Sequence, residues 1–146
     1  MRVAPQSFEE EKAMLIAMRK AILMTLLALV SSGATAAWVE VFRDETVTVY
    51  ADPTTIRKTG DRTTMSVLYD YKSVQSSNSS KSYRSSRKQS EYDCKEGQSR
   101  ILSLTAHSGN MAEVNTVFSL SKPEEWEPVR PSSLAELMWK IACGKS

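Results

Sequence analysis

The chain has 146 residues, with 19 basic against 17 acidic side chains and a formal charge of +2. That balance gives no global attraction to nucleic acid, and the length allows one domain with a modest core. Two cysteines and one histidine are too few for a four-ligand zinc site, and no C-x-x-C spacing offers a dithiol redox pair.

The first strong pattern is "MRKAILMTLLALVSSGATA" at residues 18–36. Arg19 and Lys20 are followed by an apolar run from Ala21 to Val30, then Ser31, Ser32 and Gly33, then Ala34-Thr35-Ala36. This is the layout of a secretory signal peptide, with cleavage expected between Ala36 and Ala37. The run is too short for a hydrocarbon core that needs about 20 apolar residues. The acidic run Glu9-Glu10-Glu11 sits where a cationic region belongs, so translation is expected to start at Met14 or Met18. No cysteine stands at the junction, so no lipid anchor is expected there. The mature domain would be residues 37–146, located in the periplasm or at the cell surface, with a charge of about +1.

Within it, "WVEVF" (38–42) and "VTVYA" (47–51) predict a first hairpin, rich in β-branched and aromatic residues. Asp52-Pro53 and Gly60-Asp61 predict turns. "TTMSVLYDY" (63–71) alternates as a half-buried strand. Residues 72–90 hold nine serines and five basic side chains, and the serine cluster over 73–82 predicts an exposed, mobile loop. A polar strand is expected from Tyr83 to Cys94, another over 99–107, a turn at Ser108-Gly109-Asn110, and a strand in "EVNTVFSL" with Val114, Phe118 and Leu120 on one face. After a Pro-rich connector, "SSLAELMWKIACGKS" reads as a helix. Ser133 and Glu136 have capping-box spacing, Leu134, Leu137, Met138 and Ile141 form one apolar stripe, and Gly144 is placed to stop it. The fold class is therefore α+β: an antiparallel sheet of about six strands backed by one C-terminal helix.

In an oxidising compartment the even pair Cys94 and Cys143 reads as a structural disulfide. It closes a loop of about 50 residues, worth roughly 4 kcal/mol in the chain-entropy model. On an ideal helix Cys143 lies about 180° from Leu134, so the helix is expected to unwind near Ile141 or Ala142 to let the bridge form.

Several short segments together resemble the surface-adhesin protein E family. They are Trp38-Val39-Glu40-Val41, "YADPTTI" (50–56), "VLYDY" (67–71), "EYDC" (91–94), "SGNM" (108–111) and W-x-P-V-x-P-x-S at 126–133, leading to Cys143. They span nearly all of residues 37–146. The resemblance implies the same sheet-and-helix fold, and a bacterial adhesin that binds host extracellular-matrix or plasma proteins.

Lys81, Tyr83, Arg84, Arg87 and Lys88 are the candidate binding residues. In a strand, Lys81 and Arg87 would share one face and Arg84 and Lys88 the other. They would form a basic patch for acidic protein segments or glycosaminoglycans, or a solvated edge that blocks strand-to-strand aggregation. Tyr69, Tyr71, Tyr83 and Tyr92 would present amphipathic contacts or pack across strands. Trp126 and Trp139 are expected to close the sheet–helix seam, and Trp38 to anchor the first strand. His107 has no nucleophile-elbow partner, and Glu124-Glu125 in its Pro-flanked loop reads as solvated. No catalytic residue, metal or cofactor is expected. The expected partner is an extracellular or envelope protein, a host matrix protein among the candidates, and not nucleic acid. A second reading is a periplasmic accessory or inhibitor protein that blocks its partner with a protruding loop at 72–82 or 121–131.

Overall fold

In the computed structural model the described residues are 12–15, a single helical turn, and 36–146. The export-signal reading of 18–36 and the start-site reading fall almost wholly outside them. Residues 36–146 fold as one compact unit. Seven antiparallel strands run β1 (Val39–Arg43), β2 (Val47–Thr59), β3 (Arg62–Ser76), β4 (Ser82–Asp93), β5 (Gln98–His107), β6 (Thr116–Leu120) and β7 (Glu127–Pro128). The first six form a meander in sequence order, and β7 pairs with β5. One helix, α1 (Leu134–Cys143), follows.

Alternation decides the two faces of the sheet. Val49, Ala51, Met65, Val67 and Tyr92 are buried on one face and pack with Met138 and Ala142 of α1, each large side chain contributing roughly 1.5–3 kcal/mol. The other face carries the intervening residues, and Leu68 there is fully buried as well. The β1–β2 turn is closed by Asp44 Oδ1, which accepts from the Thr46 and Val47 amides at 2.7 and 2.9 Å. The Thr46 amide, then that of Val47, hold its carboxyl below the usual carboxylate range.

Three expectations about the strands change. Asp52-Pro53 does not reverse the chain: β2 continues past it to Thr59, and pairing with β3 skips from Asp52 to Arg57 as an extended bulge. Proline lacks the amide that a ladder needs, so it sits where the ladder is interrupted. Asp52, itself buried, accepts from the Thr54 amide at 3.0 Å, and the Ser66 amide donates to Thr55 Oγ1 at 2.8 Å. The serine-rich segment is not a long loop either. β3 reaches Ser76 and β4 starts at Ser82, so only Ser77–Lys81 turn. Val114 falls outside β6 and is exposed.

The helix is capped as its sequence foretells. Ser133 Oγ accepts from the Glu136 amide at 3.1 Å, and Glu136 Oε2 accepts from Ser132 N, one residue earlier than the usual capping box. Gly144 ends it with φ 64°, a left-handed position natural to glycine. The helix does not unwind before the bridge: it is regular through Cys143, whose Cα lies 5.7 Å from that of Cys94. The buried arc is centred on Met138 and Ala142 rather than on Leu134, and Leu137 is 36% exposed. At about 100° per residue, Cys143 then sits at the margin of that arc, beside Trp139.

Candidate functional site

The expected binding residues lie on the hairpin of β3 and β4, with Lys81 in its turn and Tyr83, Arg84, Arg87 and Lys88 on β4. These strands extend beyond their neighbours: β2 starts opposite Tyr71, and β5 ends opposite Ser85. Residues 72–84 therefore form a two-stranded arm flanked by neither β2 nor β5. Gln75 pairs with Tyr83 and Ser76 with Ser82. The tip is ordered by hydrogen bonds, Ser77 N to Lys81 O and Ser80 N to Ser77 O, both at 2.9 Å. Ser77 Oγ also accepts from the Lys81 amide at 3.1 Å. Serine serves this turn because its short hydroxyl bonds the local backbone.

The structure separates the five residues. Lys81 and Arg84 are exposed on the arm. Tyr83 is half-buried in an aromatic ladder: Tyr69–Tyr71 centroids are 6.4 Å apart, Tyr71–Tyr83 5.8 Å and Tyr83–Phe118 5.7 Å, the last two edge-to-face. Such pairs add about 0.5–1.5 kcal/mol each beyond area burial. The tyrosines thus pack across strands, and burial raises the pKa of Tyr69 and Tyr71. Arg87 lies on the helix-free face, opposite Leu68 and Thr105, with its guanidinium 5.7 Å from the Trp38 ring. Lys88 lies on the helix side, opposite Val67 and Leu104, with Nζ 4.0 Å over the Tyr69 ring. Burial lowers the Lys88 pKa, opposed by the charge of Glu124.

Trp139 does close the sheet–helix seam. Its Nε1 donates to Asp93 O at 2.8 Å, and Lys145 covers its ring while donating to Cys94 O at 3.1 Å. Trp126 does not. It is held between Arg62 and Arg100, whose guanidinium carbons lie 5.1 and 4.4 Å from its ring, at strand positions facing away from α1. Arg100 also pairs with Glu91 at 2.7 Å. Glu127 pairs with Ser99 on the helix side, so Trp126 faces the other way.

Two features went unread in the sequence. One is a half-open cleft of about 240 Å³ between the sheet, the start of α1 and the connector, with Lys88, Tyr92 and Met138 in its lining and Glu124, Glu125 and Glu127 from the connector. The other is the left-handed backbone that follows the expected Ser108–Asn110 turn, where Met111, Ala112 and Val114 take φ of 56°, 58° and 65°. Left-handed backbone costs about 1–2 kcal/mol at each such residue. Asp70 Oδ1 holds the turn by accepting from Asn110 Nδ2 at 3.0 Å and Met111 N at 2.7 Å. Ser85 Oγ accepts from Ala112 N at 2.9 Å and donates to Gly109 O at 2.6 Å. His107 has a buried, unpartnered Nδ1 among the described residues; burial, then the charge of Arg87, lower its pKa.

Comparison with known proteins agrees with this architecture. The family model for surface-adhesin protein E matches residues 38–144. Two solved structures of protein E from Haemophilus influenzae, the second from a non-typeable strain, are similar at TM-scores of 0.59 and 0.55. Their sequence identities are only 9% and 10%; each match covers 77% of this chain, and 88% and 79% of the two relatives. No curated protein sequence matches. Among the described residues no helix is long and apolar enough to cross a membrane. With its matched span, its single disulfide and its sheet-and-helix fold, the chain belongs to the surface-adhesin protein E family, whose members are surface binding proteins rather than known enzymes.

Proposed function

We propose that this chain binds an extracellular host protein, of the matrix or plasma, through the β3–β4 arm, after export directed by residues 1–36. One observation carries this reading: the arm projects past β2 and β5 and presents cations without a single acid. Over residues 72–84 the arm has three basic residues, Lys72, Lys81 and Arg84, and no Asp or Glu. Lys81 and Arg84 are exposed there, and the aromatic ladder beneath them fixes the arm in place. A rigid arm reduces the entropy cost of docking, and its cations steer an acidic partner. Arg87 and Lys88 stand outside this surface, so the binding set narrows to Lys81 and Arg84, with Tyr83 as their support. No observation favours a periplasmic inhibitor.

The test is binding of the domain to immobilised heparin and to a panel of matrix proteins. Lys81→Glu with Arg84→Glu is expected to weaken binding at least tenfold and to flatten its salt dependence, because exposed charges are screened within about 8 Å at physiological salt. Equal binding by the double variant, with the same salt dependence, would remove the arm from the interface.

A further inference from the structure

We propose that the cleft between α1 and the sheet is a second, separate binding site, for a small dipolar molecule of the amino-acid or dipeptide class. Its anionic end would meet Lys88 and its cationic end the glutamates of the connector.

Lys88 is placed for this. On its own face it stands between Val67 and Leu104, in a cleft also lined by Tyr69 and Met138. Even a half-buried ammonium normally recovers part of its desolvation cost from a counter-charge. The described residues form three ion pairs, and Lys88 is in none of them. Its contact is the Tyr69 ring at 4.0 Å, which stabilises a cation through the ring face but leaves all three N–H donors available.

The connector supplies the opposite charge without cancelling it. Glu124, Glu125 and Glu127 line the same cleft, and all three are exposed. The segment is fixed at both ends, by Glu124 N donating to Ile101 O at 2.8 Å and by β7 pairing with β5. Its orientation is set further by Trp126, anchored on the far face between two arginines. The cleft therefore carries the half-buried Lys88 on its sheet wall and three exposed glutamates on its connector side; Arg100, which also borders it, is already paired with Glu91. Its volume of about 240 Å³ is far above the roughly 10–15 Å³ that admits one water, so a small organic molecule can enter. A carboxylate–backbone–ammonium molecule matches this polarity, whereas a simple anion would forgo the glutamates and a simple cation would be repelled by Lys88.

The probe is the dipeptide Gly-Lys, titrated into the folded, oxidised protein while the Lys88 side chain is followed by NMR. Saturable shifts at Lys88 are expected, together with at least tenfold weaker binding of the C-terminal amide and of the Lys88→Met variant. Replacing Glu124, Glu125 and Glu127 by Gln together should erase the preference for Gly-Lys over Gly-Glu. Thermal unfolding shows whether Lys88→Met remains folded; if it does not, the dipeptide amide on the wild-type protein decides alone. No shift at Lys88 with millimolar Gly-Lys, or equal binding of acid and amide, would overturn the proposal. Either result leaves heparin binding through the arm untouched, so the two sites fail or stand separately.

Discussion

Removing the bridge by replacing both Cys94 and Cys143 with Ala tests how α1 is held. The two cysteines are 49 residues apart, and closing a loop of about 50 residues is worth roughly 4 kcal/mol of denatured-state entropy. The surviving anchors are not trivial: Met138 and Ala142 stay buried, and Trp139 keeps its bond to Asp93 O. They act in the folded state, however, and do not restrict the unfolded chain, so most of the entropic cost should appear. For a domain of about 110 residues, an unfolding entropy near 2.1 cal/mol/K per residue converts 4 kcal/mol into a Tm drop of about 17 °C. Urea titration followed by far-UV circular dichroism and tryptophan fluorescence measures the loss directly. A single transition displaced by about 2–4 kcal/mol is expected. A loss below about 1 kcal/mol would show that core packing alone fastens the helix, and the entropic reasoning would be wrong.

Other outcomes follow from particular contacts. Replacing Lys88 by Met should stabilise the domain at neutral pH, since the depressed pKa means that folding penalises the charged lysine. That advantage is full below the folded pKa and should shrink as pH rises toward the unfolded lysine value of about 10.4; a pH-independent difference in urea midpoints would contradict it. Ser85→Ala removes a buried hydroxyl that bonds both Gly109 O and Ala112 N. It should cost about 1–3 kcal/mol and raise amide exchange at Ala112, while unchanged exchange would deny Ser85 its part in holding the turn. Gly109→Ala would place a Cβ 2.6 Å from Val114 Cγ2, and melting temperature should fall because one of the two must move. Ser133→Ala should cost about 1 kcal/mol as a lost helix cap, measured by the same urea titration.

Much of the fold could be read from residue order because its apolar positions alternate. Met65, Val67, Tyr69 and Tyr71 announce β3, and Ser133, Glu136 and Gly144 mark both ends of α1. What escaped had no local signal. The β3–β4 arm is strand by pairing, yet "SVQSSNSSKS" has no apolar period to show it. Of the stripe on α1, Leu134, Met138 and Ile141 pack on the core as expected, whereas Leu137 looks like core but is exposed, and Ala142 and Cys143 take its place. Lys88 resembles its exposed neighbours in sequence, and its partial burial arises where Tyr69, α1 and the connector border one cleft. Nothing near Trp126 in the sequence separates it from the expected helix seam, because the arginines that flank it come from the β2–β3 and β4–β5 ends of the sheet. The candidate site was thus half legible: the cations were visible, but not which face each one takes.

The proposed function requires the exported domain to present its β3–β4 arm outside the cell. Limited proteolysis of intact cells tests it most directly, with a periplasmic protein as internal control and an arm bearing a protease site inserted between Asn78 and Ser79, at the exposed tip. Cleavage of the arm while the control stays whole is the expected result. An uncut arm on intact cells, cut only after the envelope is opened, would contradict surface adhesion by this chain.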